Sequence, residues 1–169
     1  MFEELTKYKR IIVTGPQRSG TRICAQMIAK DTGYVYIDEG VIAIDSFYAL
    51  VEVISHTEVV VQCPALCRYV HHLGANEDLL IVMMVRDIDD IIASQKRIDW
   101  QGESIELMRY APFQGSIAEL KYIAWKSQKK FIKNWMEIDY NSLSGHPMWI
   151  PKEERSDFTP HQTMRTDDA

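Results

Sequence analysis

The chain is short of cysteine, of apolar stretches long enough for a leader or a membrane span, and of positive charge, and each shortage removes a class of protein. Cys24, Cys63 and Cys67 are its cysteines in 169 residues. With no apolar leader after Met1, reduced thiols and a cytoplasmic location are the expectation, and a membrane partner is not. Cys63 and Cys67 are spaced C-x3-C with no companion Cys or His cluster, and His71-His72 adds too little for a metal site. Burial as small apolar side chains is therefore expected for the cysteines, and no metal is. A formal net charge of -5 argues against nonspecific nucleic-acid binding. Internal repeats and low-complexity tracts are also missing. At 169 residues with 46% hydrophobic content, a single domain over residues 1–169 is expected, with a polar, loop-rich tail from about residue 151.

What the chain does have is alternation. Short apolar runs at Arg10 to Thr14, Tyr34 to Ile37, Glu58 to Gln62 and Leu79 to Val85 are rich in Val and Ile, and stretches with helical spacing separate them. This pattern implies an α/β fold: three α/β/α layers around a mostly parallel central sheet. Helices are expected over Thr21 to Asp31, ending near Gly33, over Ser46 to Ser55, over Pro64 to Leu73 with Gly74 beyond its end, and over Asp87 to Ile98. Asp99 to Gly115 reads as a long connection. From Ser116 to Trp135, Leu120, Ile123, Ala124, Phe131 and Trp135 fit one buried helix face, while Lys121, Lys126, Lys129, Lys130 and Lys133 lie mostly off it and read as a wet face.

The segment that bears on function is Gly15-Pro16-Gln17-Arg18-Ser19-Gly20-Thr21-Arg22, between the first apolar run and the first helix. A glycine-containing strand-to-helix turn leaves main-chain N–H groups pointing into one concavity at the positive end of a helix dipole, where an anion is held. A phosphorylated ligand follows. Lys7, Lys9, Arg10, Arg18, Arg22 and Lys30 occur with no acidic residue between Leu5 and Lys30, which predicts a positive field concentrated around this loop, or alternatively a plain basic surface strip. Against the NTPase pattern G-x-x-x-x-G-K-[ST], Gly15 and Gly20 match, but Thr21 stands at the lysine position and Arg22 at the hydroxyl position. The frame is P-loop NTPase-like, yet the lysine that reaches β and γ phosphates and the hydroxyl that holds Mg²⁺ are both replaced. A ligand with fewer phosphates and no metal fits better.

The same eight residues resemble the 5′-phosphosulfate loop of sulfotransferases that use 3′-phosphoadenosine 5′-phosphosulfate (PAPS), especially the Golgi-type glycan enzymes. The resemblance implies that PAPS is the sulfuryl donor. Arg18 would face the bridging oxygen and the transferring group, and Ser19, Gly20, Thr21 and Arg22 would hydrogen-bond the 5′-phosphate. Arg86, followed eight residues later by Ser94, matches the family's 3′-phosphate motif in order, spacing and strand-to-helix setting. An Arg at a strand's carboxyl end can fork onto a phosphate and a Ser two turns into the helix can donate to it. The alternative is an ordinary surface pair of Arg86 with Asp89 or Asp90. Trp135 to Leu143 resembles the family's strand and Tyr-x-x-Leu segment, and supports fold rather than chemistry.

The general base is harder to place. Gln62-Cys63-Pro64 puts Gln62 where cytosolic sulfotransferases carry a His, and Gln cannot take a proton. The glycan-type enzymes use a Glu after the first helix and second strand, which points to Glu39 first and Asp38 second, although either could instead cap the following turn; His56 is a weaker option. The family's C-terminal glycine-rich cover has no clear counterpart beyond Lys152 to Thr159, which admits a homo-oligomer that completes the site between copies. The acceptor is a hydroxyl or amine of unknown identity, and the Lys121 to Lys133 face permits an acidic one. A small P-loop nucleotide kinase or hydrolase, and a noncatalytic nucleotide-binding module, are the competing expectations.

Overall fold

A computed structural model describes residues 1–41, 47–99, 115–151 and 154. Its strands β1 (Arg10–Thr14), β2 (Val35–Ile37), β3 (Val59–Gln62), β4 (Leu79–Val85) and β5 (Trp135–Asp139) form one sheet in the order β2-β3-β1-β4-β5, with every pairing parallel. Helices α1 (Thr21–Thr32), α2 (Phe47–Ser55), α3 (Ile88–Arg97) and α4 (Ile117–Gln128) lie between the strands.

Handedness distributes the layers. A parallel crossover is right-handed, so its helix changes face when the chain changes direction across the sheet. The step from β1 to β2 runs one way and puts α1 on one face. The later steps run the other way and put α2 and α4 on the opposite face. Along β1, Ile11 and Val13 point to α1, whose Cys24, Met27 and Ile28 pack with Val60, Val82 and Met84. Ile12 points the other way, into a cluster with Leu50 and Val53 of α2, Val61, Met83 and Trp125 of α4. Both faces of the central strands are buried, which is why they read as unbroken apolar runs rather than alternating ones. The expected α/β, P-loop NTPase-like architecture is present.

β1 and β4 have the expected bounds, and β2 and β3 each begin one residue later than the apolar runs. α1 runs one residue past the expected end, and Gly33, at φ 74°, supplies the left-handed C-cap that a side chain would resist. α3 starts on Asp87, whose carboxylate accepts the Asp90 N–H at 3.1 Å. Ser46 lies outside the described residues, as do residues 100–114 of the long connection and all of Lys152 to Thr159 except Glu154.

Three expectations are corrected. Pro64 to Leu73 is two 3-10 turns, Pro64–Arg68 and Val70–Leu73, instead of one helix. Its main-chain bonds join residues three apart, Leu66 N–H to Cys63 O and Tyr69 N–H to Leu66 O among them, and the tighter turns bury Leu66, Cys67 and Val70 in a short span. The helix from Ser116 ends at Gln128, well before Trp135, because the chain must turn through Lys129–Phe131 to enter β5 beside β4. Its start is a capping box, Ser116 Oγ accepting from Glu119 N–H at 3.2 Å and Glu119 Oε2 from Ser116 N–H at 2.8 Å. The buried face is also different: Ile117, Ala118, Lys121 and Trp125 are buried, whereas Ile123 and Phe131 are 52% and 64% exposed. Finally, the basic run is split by the length of β1. Lys9 pairs with Asp78 at the amino end of the sheet, and of that run Arg18 and Arg22 alone belong to the loop at the other end.

Gly74 has ordinary helical backbone angles, so its value is space rather than conformation. A Cβ there would lie 2.3 Å from the Phe131 carbonyl oxygen, which is backbone and cannot swing aside. Gly74→Ala is expected to cost about 2 kcal/mol and lower Tm by roughly 4–8 °C in a thermal melt, with the exposed neighbour substitution Ala75→Ser near neutral.

Candidate functional site

In an open parallel sheet, ligands bind beyond the carboxyl ends of the strands where the connections part in opposite directions. Here that point is the end of β1, since the chain leaves β1 for β2 on one side and later crosses to β4 on the other. The loop of Gly15 to Gly20 occupies it. The remaining strands deliver Asp38 and Glu39 after β2, Gln62 on β3, Arg86 after β4 and Tyr140 after β5.

The loop is held in a strained, closed form. Gly15 and Gly20 have φ of 145° and 98°, and Arg18 has φ 72°, a left-handed conformation that costs a non-glycine residue about 1–2 kcal/mol. Ser19 folds back on Pro16 O through its amide (3.1 Å) and hydroxyl (2.7 Å). The first main-chain bond of α1 is Cys24 N–H to Gly20 O, so the amides of Gly20 to Ile23 precede the helical ladder, and no side chain caps them. That is the anion-binding end of a helix dipole.

Around it gather guanidinium groups. Arg18 Nε donates to Ser94 Oγ at 3.1 Å, Arg86 Nη1 donates to the Arg18 carbonyl at 3.0 Å, and Arg97 Nη2 reaches Ser94 Oγ at 3.4 Å. The structure therefore brings Arg86 and Ser94 against the loop. Arg86 also lies 3.9 Å from Asp90, a long ion pair to an exposed carboxylate, and stacks over the Tyr140 ring with its guanidinium carbon 4.1 Å from the centroid. Its Nε is buried with no hydrogen-bond partner. Burial, together with the charges of Arg97, Arg86 and Arg22, pushes the Arg18 guanidinium below its ordinary value. Like charges crowded this way are relieved by an anion.

The carboxylates separate by environment. Burial alone would raise Asp38, but the Tyr36 hydroxyl (2.6 Å), the Gly40 amide (3.1 Å) and Arg22 (3.0 Å) outweigh it and hold Asp38 below its usual range. Burial pushes Glu39 up instead, and Arg22 at 3.6 Å offsets it incompletely. Gln62 ties this side to the loop, donating to Thr21 Oγ1 at 3.0 Å and accepting from Glu39 N–H at 3.5 Å. Thr21 is thus a hydrogen-bond acceptor to the sheet, while Pro16 and Gly20 shape the turn. Gln17 is tied from two sides, its carbonyl by Gln95 at 3.3 Å and its side chain by Lys121 at 2.6 Å. His56, just past the end of α2, pairs with the exposed Glu52 at the amino end of the sheet, opposite the loop.

Sequence reasoning assigned no site role to Tyr140, Gln95 or Arg97, and gave Lys121 one only as part of a lysine face that permits an acidic acceptor. Tyr140 packs so close to Gly20 that a Cβ there would sit 2.5 Å from its ring. Arg97 lies three residues after Ser94 on the same face of α3, which was the available signal for it, whereas Gln95 is turned to a different face. Among the described residues no group of His, Cys, Asp and Glu is arranged to hold a metal, the three cysteines are buried, and no helix is long and apolar enough to cross a membrane.

No family model and no curated protein matches this sequence. Among solved structures, the chain is similar to shikimate kinase from Acinetobacter baumannii in complex with shikimate, with a TM-score of 0.51 and 12% identity over 82% of this chain and 88% of that one. At this identity the likeness establishes the P-loop fold.

Because Arg18 carries backbone strain, Arg18→Gly is expected to leave the unliganded protein as stable as before or up to about 1 kcal/mol more stable, against the usual direction of a change to glycine. The same change should weaken binding of inorganic pyrophosphate about tenfold, read by calorimetry beside a thermal melt.

Proposed function

We propose that the protein is a PAPS-dependent sulfotransferase whose loop holds the 5′-phosphosulfate and whose Arg86 and Ser94 hold the 3′-phosphate. The observation that carries this reading is the joining of Arg18 to Ser94 and of Arg86 to the Arg18 carbonyl, which makes one basic cluster out of two sequence elements the family resemblance named separately. A nucleotide phosphorylated at both ends matches a cradle with two sets of donors better than a linear triphosphate does.

In the reaction, the acceptor oxygen or nitrogen attacks sulfur as the bond from sulfur to the bridging phosphate oxygen breaks. The electron pair of that bond goes to the leaving phosphate, where Arg18 and the amides at the start of α1 neutralise it. The acceptor's proton goes to Glu39. A carboxylate raised by burial is the better base, whereas Asp38, engaged by Tyr36, Gly40 and Arg22, orients Arg22.

Phosphoryl transfer from a nucleoside triphosphate is the second reading, and the kinase named as fold neighbour favours it. The loop chemistry weighs the other way, with Thr21 and Arg22 where that reaction uses a lysine and a metal-binding hydroxyl. Mg²⁺-dependent ATP turnover abolished by Arg18→Ala would establish the second reading.

Calorimetry with 3′-phosphoadenosine 5′-phosphate should show binding at least tenfold tighter than with adenosine 5′-phosphate, and equal affinities would contradict the proposal. Glu39→Gln should leave that binding within about twofold and lower kcat by roughly 10²–10⁴. Since the base is active when ionised and its value is raised, kcat/KM of the wild type should fall as pH drops at a pH above the ordinary glutamate range, and this acid limb should be lost in the Gln variant.

A further inference from the structure

Lys121 is the least expected side chain in the molecule. It belongs to a lysine-rich stretch that reads as a solvated face, yet it is 2% exposed and among the largest fully buried side chains. From α4, one turn after Ile117 and one before Trp125, it runs under the loop, with Nζ 2.6 Å from Gln17 Oε1 and 3.3 Å from Pro64 O. Taking an ammonium out of water costs several kcal/mol, so its burial beside the loop is a feature that the structure maintains against that cost. The ammonium stands between the phosphate loop and the end of β3, on the side where Glu39 and Cys63 lie, and its charge is felt at both.

P-loop transfer enzymes place a lysine on the group being transferred, at the position occupied here by Thr21. Thr21 cannot supply a cation, and its hydroxyl already accepts from Gln62. The geometry points to Lys121 as the replacement, a catalytic cation delivered from a distant helix that donates to the non-bridging oxygens of the transferring group while Gln17 holds it ready. This rests on the reading of the loop as a donor-nucleotide site and deepens it by separating the duties. Arg18 meets the leaving phosphate, and Lys121 meets the group that departs toward the acceptor. Lys121 acts by charge and hydrogen bonding.

The test compares a donor that carries the transferring group with a product that lacks it. PAPS and 3′-phosphoadenosine 5′-phosphate are titrated by calorimetry into wild type, Lys121→Met and Lys121→Arg, each checked for folding by circular dichroism. The expected result is that Lys121→Met binds the product within about twofold of wild type but loses tenfold or more in its preference for PAPS, and that Lys121→Arg retains most of that preference. An unchanged preference in folded Lys121→Met overturns the assignment and makes the residue purely structural. A measurement on wild type stands apart from any folding defect: the lysine side-chain ¹⁵N signals should include one that shifts with PAPS and not with the product, and identical responses overturn the assignment. If wild type ignores both adenylates but binds ATP, the sulfuryl reading has failed, and Lys121 stands or falls on the same preference measured between ATP and ADP. Binding of neither donor overturns both.

Discussion

The contact on which the site depends is the pair of bonds that Arg18 makes in opposite directions, its carbonyl accepting from Arg86 and its side chain donating to Ser94. Both require the left-handed backbone at Arg18, which turns the carbonyl toward β4 and the guanidinium toward α3. The strain is maintained because the surrounding chain leaves no slack. Ser19 closes the turn on Pro16, Gly15 lies against Met84, and Tyr140 covers Gly20 while carrying Arg86 on its ring. The loop therefore presents its amides in a fixed array before any ligand arrives, which is the condition for electrostatic stabilisation without reorganisation.

The sheet order makes this convergence possible. β1 sits between β3 and β4, so the loop at its end can reach residues from both, and the remaining strands end nearby on the same side. One side contributes Asp38 and Glu39, whose environments differ in hydrogen bonding, and the other contributes Arg86 and Tyr140. The cradle holds excess positive charge in a protein whose net charge is negative, since the carboxylates on that side are engaged by Arg22 or raised by burial. A protein of this composition can thus concentrate a positive field locally without becoming a general polyanion binder.

Much of the fold was legible because its signals were local. Val and Ile runs marked β1 and β4, Gly33 marked the end of α1, and Gly15 and Gly20 marked the turn before it. The spacing of Arg86 and Ser94 along a strand and helix was likewise readable, and the structure sets both beside Arg18. What was illegible depended on contacts between distant segments. Apolar spacing chose Ile123, Phe131 and Trp135 as the buried face, whereas the helix turns Lys121 inward because a loop more than a hundred residues earlier supplies its acceptor. The basic run from Lys7 to Lys30 looked like one field until the length of β1 carried its two halves to opposite ends of the sheet. Gly74 resembled a helix stop and is instead a gap for the Phe131 carbonyl.

The most direct measurement is a crystal structure of the protein soaked with 3′-phosphoadenosine 5′-phosphate. The account predicts the 5′-phosphate within hydrogen-bond distance of the amides at Gly20 to Arg22, the 3′-phosphate on Arg86 and Ser94, and Glu39 facing the open side of the 5′-phosphate. A nucleotide held by the loop alone, with its 3′-phosphate in solvent and Arg86 still turned onto Tyr140, would contradict it.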